Sequence, residues 1–183
     1  MATTKPDPAV SQIYAENIRA STARPATPVK VDPQLVKKIR ERVQIFRGMT
    51  HECLLRTLSL GDYIPLKAGQ VIFKEGDLGD SFFVLAAGQV VVELTRAGNT
   101  VELARFGPAE CFGEMALVSQ QGRTATVRAL SDSIAMRFYR ETIDVNPESG
   151  FHIYRNIASI LSARLKESSI QLARLSTSGK PES

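Results

Sequence analysis

Phe112-Gly113-Glu114-Met115-Ala116-Leu117-Val118-Ser119-Gln120-Gln121-Gly122-Arg123-Thr124-Ala125-Thr126-Val127 is the stretch on which the reading turns. Gly113 lets a ligand approach the backbone closely, and the short helix expected after it offers amide donors and a positive dipole end to an anion. The loop Val118 to Gly122 reverses the chain, so Arg123 presents its fork of donors to the same anion. Glu114, at the head of the helix, is placed to accept a hydrogen bond from a sugar hydroxyl. One cation, one carboxylate and a few amides suit a ligand with a single negative charge and a free ribose 2′-hydroxyl. Taken singly, a Glu at a helix start complements the dipole and an Arg makes a surface ion pair; it is their spacing that points to a site.

Outward from this stretch, Gly61 to Phe138 reads as short β-type runs: Tyr63–Leu66, Val71–Phe73, Phe82–Ala87, Val90–Thr95, Thr100–Phe106, Ala125–Ala129 and Ile134–Phe138. Glycines at 69, 76, 88 and 98 supply the reversals between them. In the fourth run, Val90, Val92 and Leu94 are expected inward and Val91, Glu93 and Thr95 outward. The pattern is that of an all-β sandwich or barrel.

Two short helices precede it. The first starts at Asp32-Pro33 and carries Leu35, Ile39, Val43 and Phe46 on one face; Gly48 breaks it, Thr50 caps the next, and Cys53, Leu54, Leu55 and Leu58 form a second stripe. After Asp144 the chain turns helical, with Asn146 as cap and Pro147 in the first turn. Phe151, Tyr154, Ala158, Leu161, Leu165, Ser168, Leu172 and Leu175 recur at heptad spacing, while Ile153, Ile157 and Ile160 form a separate stripe. One face can lie on the barrel while the seam meets a second copy, or the barrel takes both. The expected divisions are a disordered arm over residues 1–30, N-terminal helices over 31–60, the barrel over 61–140, C-terminal helices over 141–176 as lid or dimer seam, and a frayed tail over 177–183.

Composition narrows the classes further. The 183 residues are 43% apolar with a net charge of +4, and no run approaches the roughly 20 apolar residues of a membrane span. The start lacks the apolar core of a secretory signal, so the expected setting is cytoplasmic. Two cysteines, Cys53 and Cys111, are too few for a disulfide framework and are expected reduced and buried; two histidines cannot build a multi-imidazole metal site. No metal, no cofactor and no catalytic residues are expected, since nucleophile, base and orienting group do not occur at a recognisable spacing. Ten basic residues against five acidic ones over residues 1–60 put the surplus charge N-terminally. It is interleaved with apolar positions as on a solvated helix face, so nucleic acid is not an expected partner.

The stretch Phe112 to Val127 resembles the signature of the cyclic-nucleotide-binding domain family. Val43 to Thr50 resembles that family's N-terminal helical motif, and Leu66 to Val92, with Gly69, Glu75-Gly76-Asp77, Gly79 and Gly88, resembles its first four strands. The resemblance spans about residues 35–175. It implies a mainly β fold with flanking helices, a jelly-roll β-barrel with a long C-terminal helix, and cAMP or cGMP as ligand. It places Glu114 on the ribose and Arg123 on the cyclic phosphate, with Gly113, Ala116 and Leu117 lining the phosphate, Thr124 near the base, and Met115 and Ala125 also among the ligand-binding residues. Thr124 is compatible with either base.

Val145-Asn146-Pro147 and Arg164-Leu165-Lys166-Glu167-Ser168-Ser169 resemble the linker and dimer helix of the bacterial catabolite activator protein group, which implies base contacts from Ser168 and Ser169 and pairing of two copies through the helix. That group continues into a DNA-reading helix-turn-helix of about 60 residues; eight residues follow Leu175 here. The expectation is a stand-alone cyclic-nucleotide receptor acting on a protein partner, the alternative a nucleotide-independent scaffold of the same fold.

Overall fold

The computed structural model describes residues 33–119 and 122–178. Helix α1 (Pro33–Arg42) is followed by a 3₁₀ turn (Gln44–Phe46) and α2 (His51–Ser59). The cap expected of Asp32, the N-terminal arm and residues 179–183 lie outside the described residues. Thr50 caps α2 as expected, its hydroxyl accepting from the Cys53 amide at 3.1 Å. Val43 and Phe46 do not continue α1 as the sequence suggested. The helix stops at Arg42, and the 3₁₀ turn, which crowds side chains onto a tighter pitch, buries Ile45 and Phe46 instead.

Eight strands follow: β1 (Asp62–Leu66), β2 (Val71–Phe73), β3 (Ser81–Ala87), β4 (Val90–Arg96), β5 (Asn99–Phe106), β6 (Cys111–Phe112), β7 (Thr126–Ala129) and β8 (Ser133–Tyr139). They make two four-stranded antiparallel sheets, ordered β1-β8-β3-β6 and β2-β7-β4-β5. The jelly roll is thus a pair of facing sheets, not a barrel closed by hydrogen bonds. Leu66, Phe83, Leu85, Val90, Phe112, Val127, Ala129 and Ala135 fill the space between them, each large side chain contributing about 1.5–3 kcal/mol by burial. Phe83 pairs with Phe112 across β3 and β6, and their rings stack at 5.1 Å.

The first sheet is covered on its outer face as well, which explains the uninterrupted apolar run of β3. Phe82 stacks on Phe138 at 5.0 Å, and Phe46 meets Phe138 edge-on at 5.6 Å. Around them lie Met49, Leu54, Ile143, Ile153 and Ile157, all buried. The alternation expected in β4 fails at Val91, which is 1% exposed; both faces are covered at that end of the strand.

A short helix, α4 (Arg140–Asp144), leads into the long helix α5 (Pro147–Ser178). Asn146 does not cap α5 through its side chain. Its Nδ2 donates back to the Thr142 carbonyl at 2.7 Å, and its own carbonyl accepts from Gly150. The stripe Ile153, Ile157 and Ile160 is buried as expected, whereas Phe151, Ala158, Leu165, Ser168 and Leu172 of the heptad seam are exposed. Asn156, between the two stripes, donates to the carbonyls of Ile45 at 2.9 Å and Arg47 at 2.8 Å and fastens α5 to the 3₁₀ turn. The helix runs through Ser178, past the expected end at 176.

Candidate functional site

β6 ends at Phe112, and Gly113 turns the chain at φ +74° into α3 (Met115–Val118), a single turn of helix. So short an element has little macrodipole; what it contributes is a fixed backbone, with Ala116 donating to the Gly113 carbonyl at 3.3 Å and Leu117 to that of Glu114 at 3.0 Å. The chain returns through Gly122 to Arg123, whose amide donates to the Asp77 carbonyl at 2.8 Å while its carbonyl accepts from Gly76. The β2–β3 turn thereby clamps the arginine's backbone.

Arg123 is 7% exposed. Its Nη1 donates to the carbonyls of Ser81 at 2.7 Å and Gly113 at 2.8 Å, and Nη2 to the Ser81 hydroxyl at 3.3 Å. The guanidinium carbon lies 4.2 Å from the centre of the Phe73 ring, within cation–π range. Nε is buried without a partner among the described residues, and a buried donor left unpaired costs about 1–3 kcal/mol. Burial lowers the pKa of this guanidinium, and Asp80 and Asp77 oppose the shift. A Cβ added at Gly79 would fall 2.9 Å from Nε and 2.5 Å from the Ala116 Cβ; one at Gly113 would fall 2.7 Å from Nη1. Gly79, Gly113 and Ala116 are thus packed close against the guanidinium, at a separation that larger side chains could not keep.

Glu114 is 2% exposed. Its carboxylate is hydrogen-bonded to Arg164 of α5, which also donates to the Cys111 carbonyl at 2.9 Å and lies over the Phe106 ring at 4.6 Å. Burial raises the pKa of Glu114, and Arg164, the backbone amide and Arg123 pull against it. Burial, with the negative charge of Glu114 next, pushes the Cys111 thiol up to about 12.

Of the residues proposed from sequence, Gly113, Glu114, Ala116, Leu117, Arg123 and Ala125 come together around this cradle, all but Gly113 buried. Met115 and Thr124 lie at its exposed rim, where the Thr124 hydroxyl donates to the Met115 sulfur at 3.6 Å. Ser168 and Ser169 are not brought to it. Both are exposed a turn beyond Arg164, and the Ser169 hydroxyl donates to its own helix at Leu165. Cys53 and Cys111 are both free and buried.

Sequence reasoning missed Phe73, Gly79 and Ser81 as parts of the cradle, and Arg164 as the partner of Glu114. Arg164 had a signal: it stands four residues after Ile160 and continues the 153-157-160 stripe, so the helix face that packs on the sheets had to carry it inward. No group of three or more metal-ligating side chains occurs among the described residues. No described helix is long and apolar enough to cross a membrane.

Comparison with known proteins agrees with this geometry. A family model described as cyclic nucleotide-binding domain matches residues 63–144. The Cyclic AMP receptor protein of Thermus thermophilus is 32% identical over 133 residues, 72% of this chain and 62% of that protein. The cAMP-dependent protein kinase regulatory subunit of Blastocladiella emersonii is 29% identical over 142 residues, covering 72% of this chain and 34% of the subunit. The crystal structure of the Thermus thermophilus Catabolite Activator Protein superposes with a TM-score of 0.67 at 31% identity, over 73% of this chain and 63% of that one. The chain therefore spans less than two thirds of the length of these relatives. Matching signature, sheet order and buried Glu114 and Arg123 all lead to one conclusion: over residues 63–144 this chain is a member of the cyclic nucleotide-binding domain family.

Proposed function

We propose that this chain is a cyclic-nucleotide receptor, taking cAMP or cGMP, which acts on a protein partner by rearranging its C-terminal helix. Arg123 holds the cyclic phosphate and Glu114 the ribose 2′-hydroxyl. The observation that carries the reading is the buried, partnerless Nε of Arg123, close beside Gly79 and Ala116. A phosphate oxygen there satisfies a donor that the protein itself does not, through a charge-assisted bond in a partly desolvated site.

The coupling to the helix follows from Glu114. Its carboxylate is the group a ribose hydroxyl needs, and Arg164 of α5 already engages it. A nucleotide that draws on Glu114 changes the hold on α5 and shifts the population of helix positions. Phe151 and Leu165, 63% and 69% exposed on the outer seam, are the surface through which such a shift reaches a partner, a second copy of this chain included. The role is regulatory, not catalytic.

A second reading keeps the fold as a nucleotide-independent scaffold. It is favoured by the fact that Glu114 and most donors of Arg123 already have internal partners. Calorimetric titration with cAMP and cGMP in parallel separates the two. The receptor binds about one nucleotide per chain, and Arg123→Ala lowers the affinity by roughly a hundredfold, about 3 kcal/mol for a lost charged hydrogen bond. Absence of binding to folded, nucleotide-free protein, or unchanged affinity in the variant, moves the scaffold to first place.

A further inference from the structure

A second cleft opens on the helical side of the molecule. Arg40, Glu41, Arg47, Gly48 and Met49 line a cavity of about 450 Å³ between α1 and the 3₁₀ turn, a size common among small-ligand sites. Its floor is Gly48, which turns the chain at φ +84°. A Cβ there would lie 2.7 Å from Nη2 of Arg155 and 3.5 Å from Nδ1 of His152, so two nitrogens from α5 pack against the glycine that lines the cleft. Nδ1 of His152 is buried and has no partner among the described residues.

The arginines here are not tied up in ion pairs, unlike several on the rest of the surface. Arg56, Arg96, Arg105, Arg128 and Arg164 each have a carboxylate partner. Arg40, Arg47 and Arg155 have none among the described residues, and Glu41 is the one acid in the lining. Arg40 stands in the last turn of α1, where a cation complements the helix dipole. Arg155 lies over the Phe151 ring at 5.5 Å; Arg47 has no such account. The walls are also fixed to one another, because Asn156 binds the Ile45 and Arg47 carbonyls to α5. Ordering the cleft therefore costs an incoming ligand little.

We propose that this cleft is an oxyanion site, separate from the nucleotide cradle, that takes a phosphoryl group. Arg40 and Arg47 line the cleft against one carboxylate, Glu41, and the Arg155 guanidinium reaches Gly48 from α5; the surplus of positive charge suits a tetrahedral oxyanion. The phosphoryl group comes either as a free phosphate or diphosphate or on a phosphorylated side chain of a protein segment. The proposal does not depend on nucleotide binding.

The test is an amide and guanidinium NMR titration of the full chain with inorganic phosphate, with pyrophosphate, and with a phosphoserine peptide beside its unphosphorylated form. Each is run with and without cAMP. The expected result is a saturable shift at the Gly48 amide and at the Nε–H groups of Arg47 and Arg155. Arg47→Gln and Arg155→Gln each weaken binding about tenfold, and Arg123→Ala does not. A response to the inorganic anions assigns the site to small phosphates; a response to the phosphopeptide alone assigns it to a protein segment. No saturable shift with any probe, an unchanged shift in the double variant Arg47→Gln/Arg155→Gln, or loss confined to Arg123→Ala overturns the proposal. Loss of nucleotide binding with these shifts intact sinks only the receptor reading.

Discussion

Glu114 is a carboxylate withdrawn from water and opposed by a guanidinium that is itself one-third exposed. Its raised pKa means that Arg164 offsets only part of the desolvation. Between its ordinary value of 4.5 and the raised value, the unfolded chain has released this proton while the folded chain still holds it. Stability therefore falls as pH rises across that window and is level above it. Glu114→Gln has no such proton, so denaturant unfolding from pH 4 to 7 is expected to show the variant gaining on the parent as pH rises, then a constant offset. Arg164→Met leaves the carboxylate with less opposition and widens the window. It is expected to cost about 1–2 kcal/mol near neutral pH, discounted for the exposure of Arg164 from the larger values of fully buried pairs. An Arg164→Met variant as stable as the parent across the range would mean that the pair carries no energetic weight.

Elements differ in how plainly they were written in the chain. Strands β1 to β5, β7 and β8 announced themselves because each joins β-branched or aromatic residues to a turn, most of them marked by glycine and that before β8 by Ser131-Asp132. β6 did not, since two residues, Cys111 and Phe112, are too few for any period to show. In α5 the isoleucine stripe was legible because it is apolar. Its continuation through Arg164 was legible only as spacing, because a charge on a buried stripe reads as an interruption until its partner is known. The cassette side of the cradle was legible as a motif, and the opposite side, Phe73, Gly79 and Ser81, only as strand and turn. Gly79→Ala tests that side: its Cβ would press on Ala116 and Arg123, at an expected cost of about 1–3 kcal/mol by thermal unfolding, together with loss of nucleotide affinity. Asn156→Leu tests the attachment of α5. It strands two carbonyls of the 3₁₀ turn and is expected to cost about 1–3 kcal/mol; a smaller loss would mean that water replaces the amide.

At the scale of the whole molecule, α5 divides into a half anchored on the sheets and the 3₁₀ turn, up to Ile160, and a half exposed beyond Arg164. A helix held at one end by buried apolar side chains and at its middle by Arg164 is expected to open from the far end. Hydrogen exchange is expected to show slow amides around Ile153 to Ile160 and fast ones from Leu165 to Ser178, with nucleotide altering the second group and sparing the first. Uniform protection along α5 would contradict this division. Light scattering with and without nucleotide reports whether the exposed seam is covered by a second copy.

Cys111 carries a buried thiol on the same residue whose carbonyl Arg164 holds, next to the link between α5 and the cradle. With its pKa near 12, only about one part in ten thousand is thiolate at pH 8, and the side chain is 4% exposed. An alkylating reagent is then expected to react only when the site opens, and the bond from Arg164 to the Cys111 carbonyl is one of the contacts that must give. The rate of Cys111 labelling is in effect a clock for those openings, and nucleotide should change its tempo while the thiol of Cys53, buried in α2, keeps its own time.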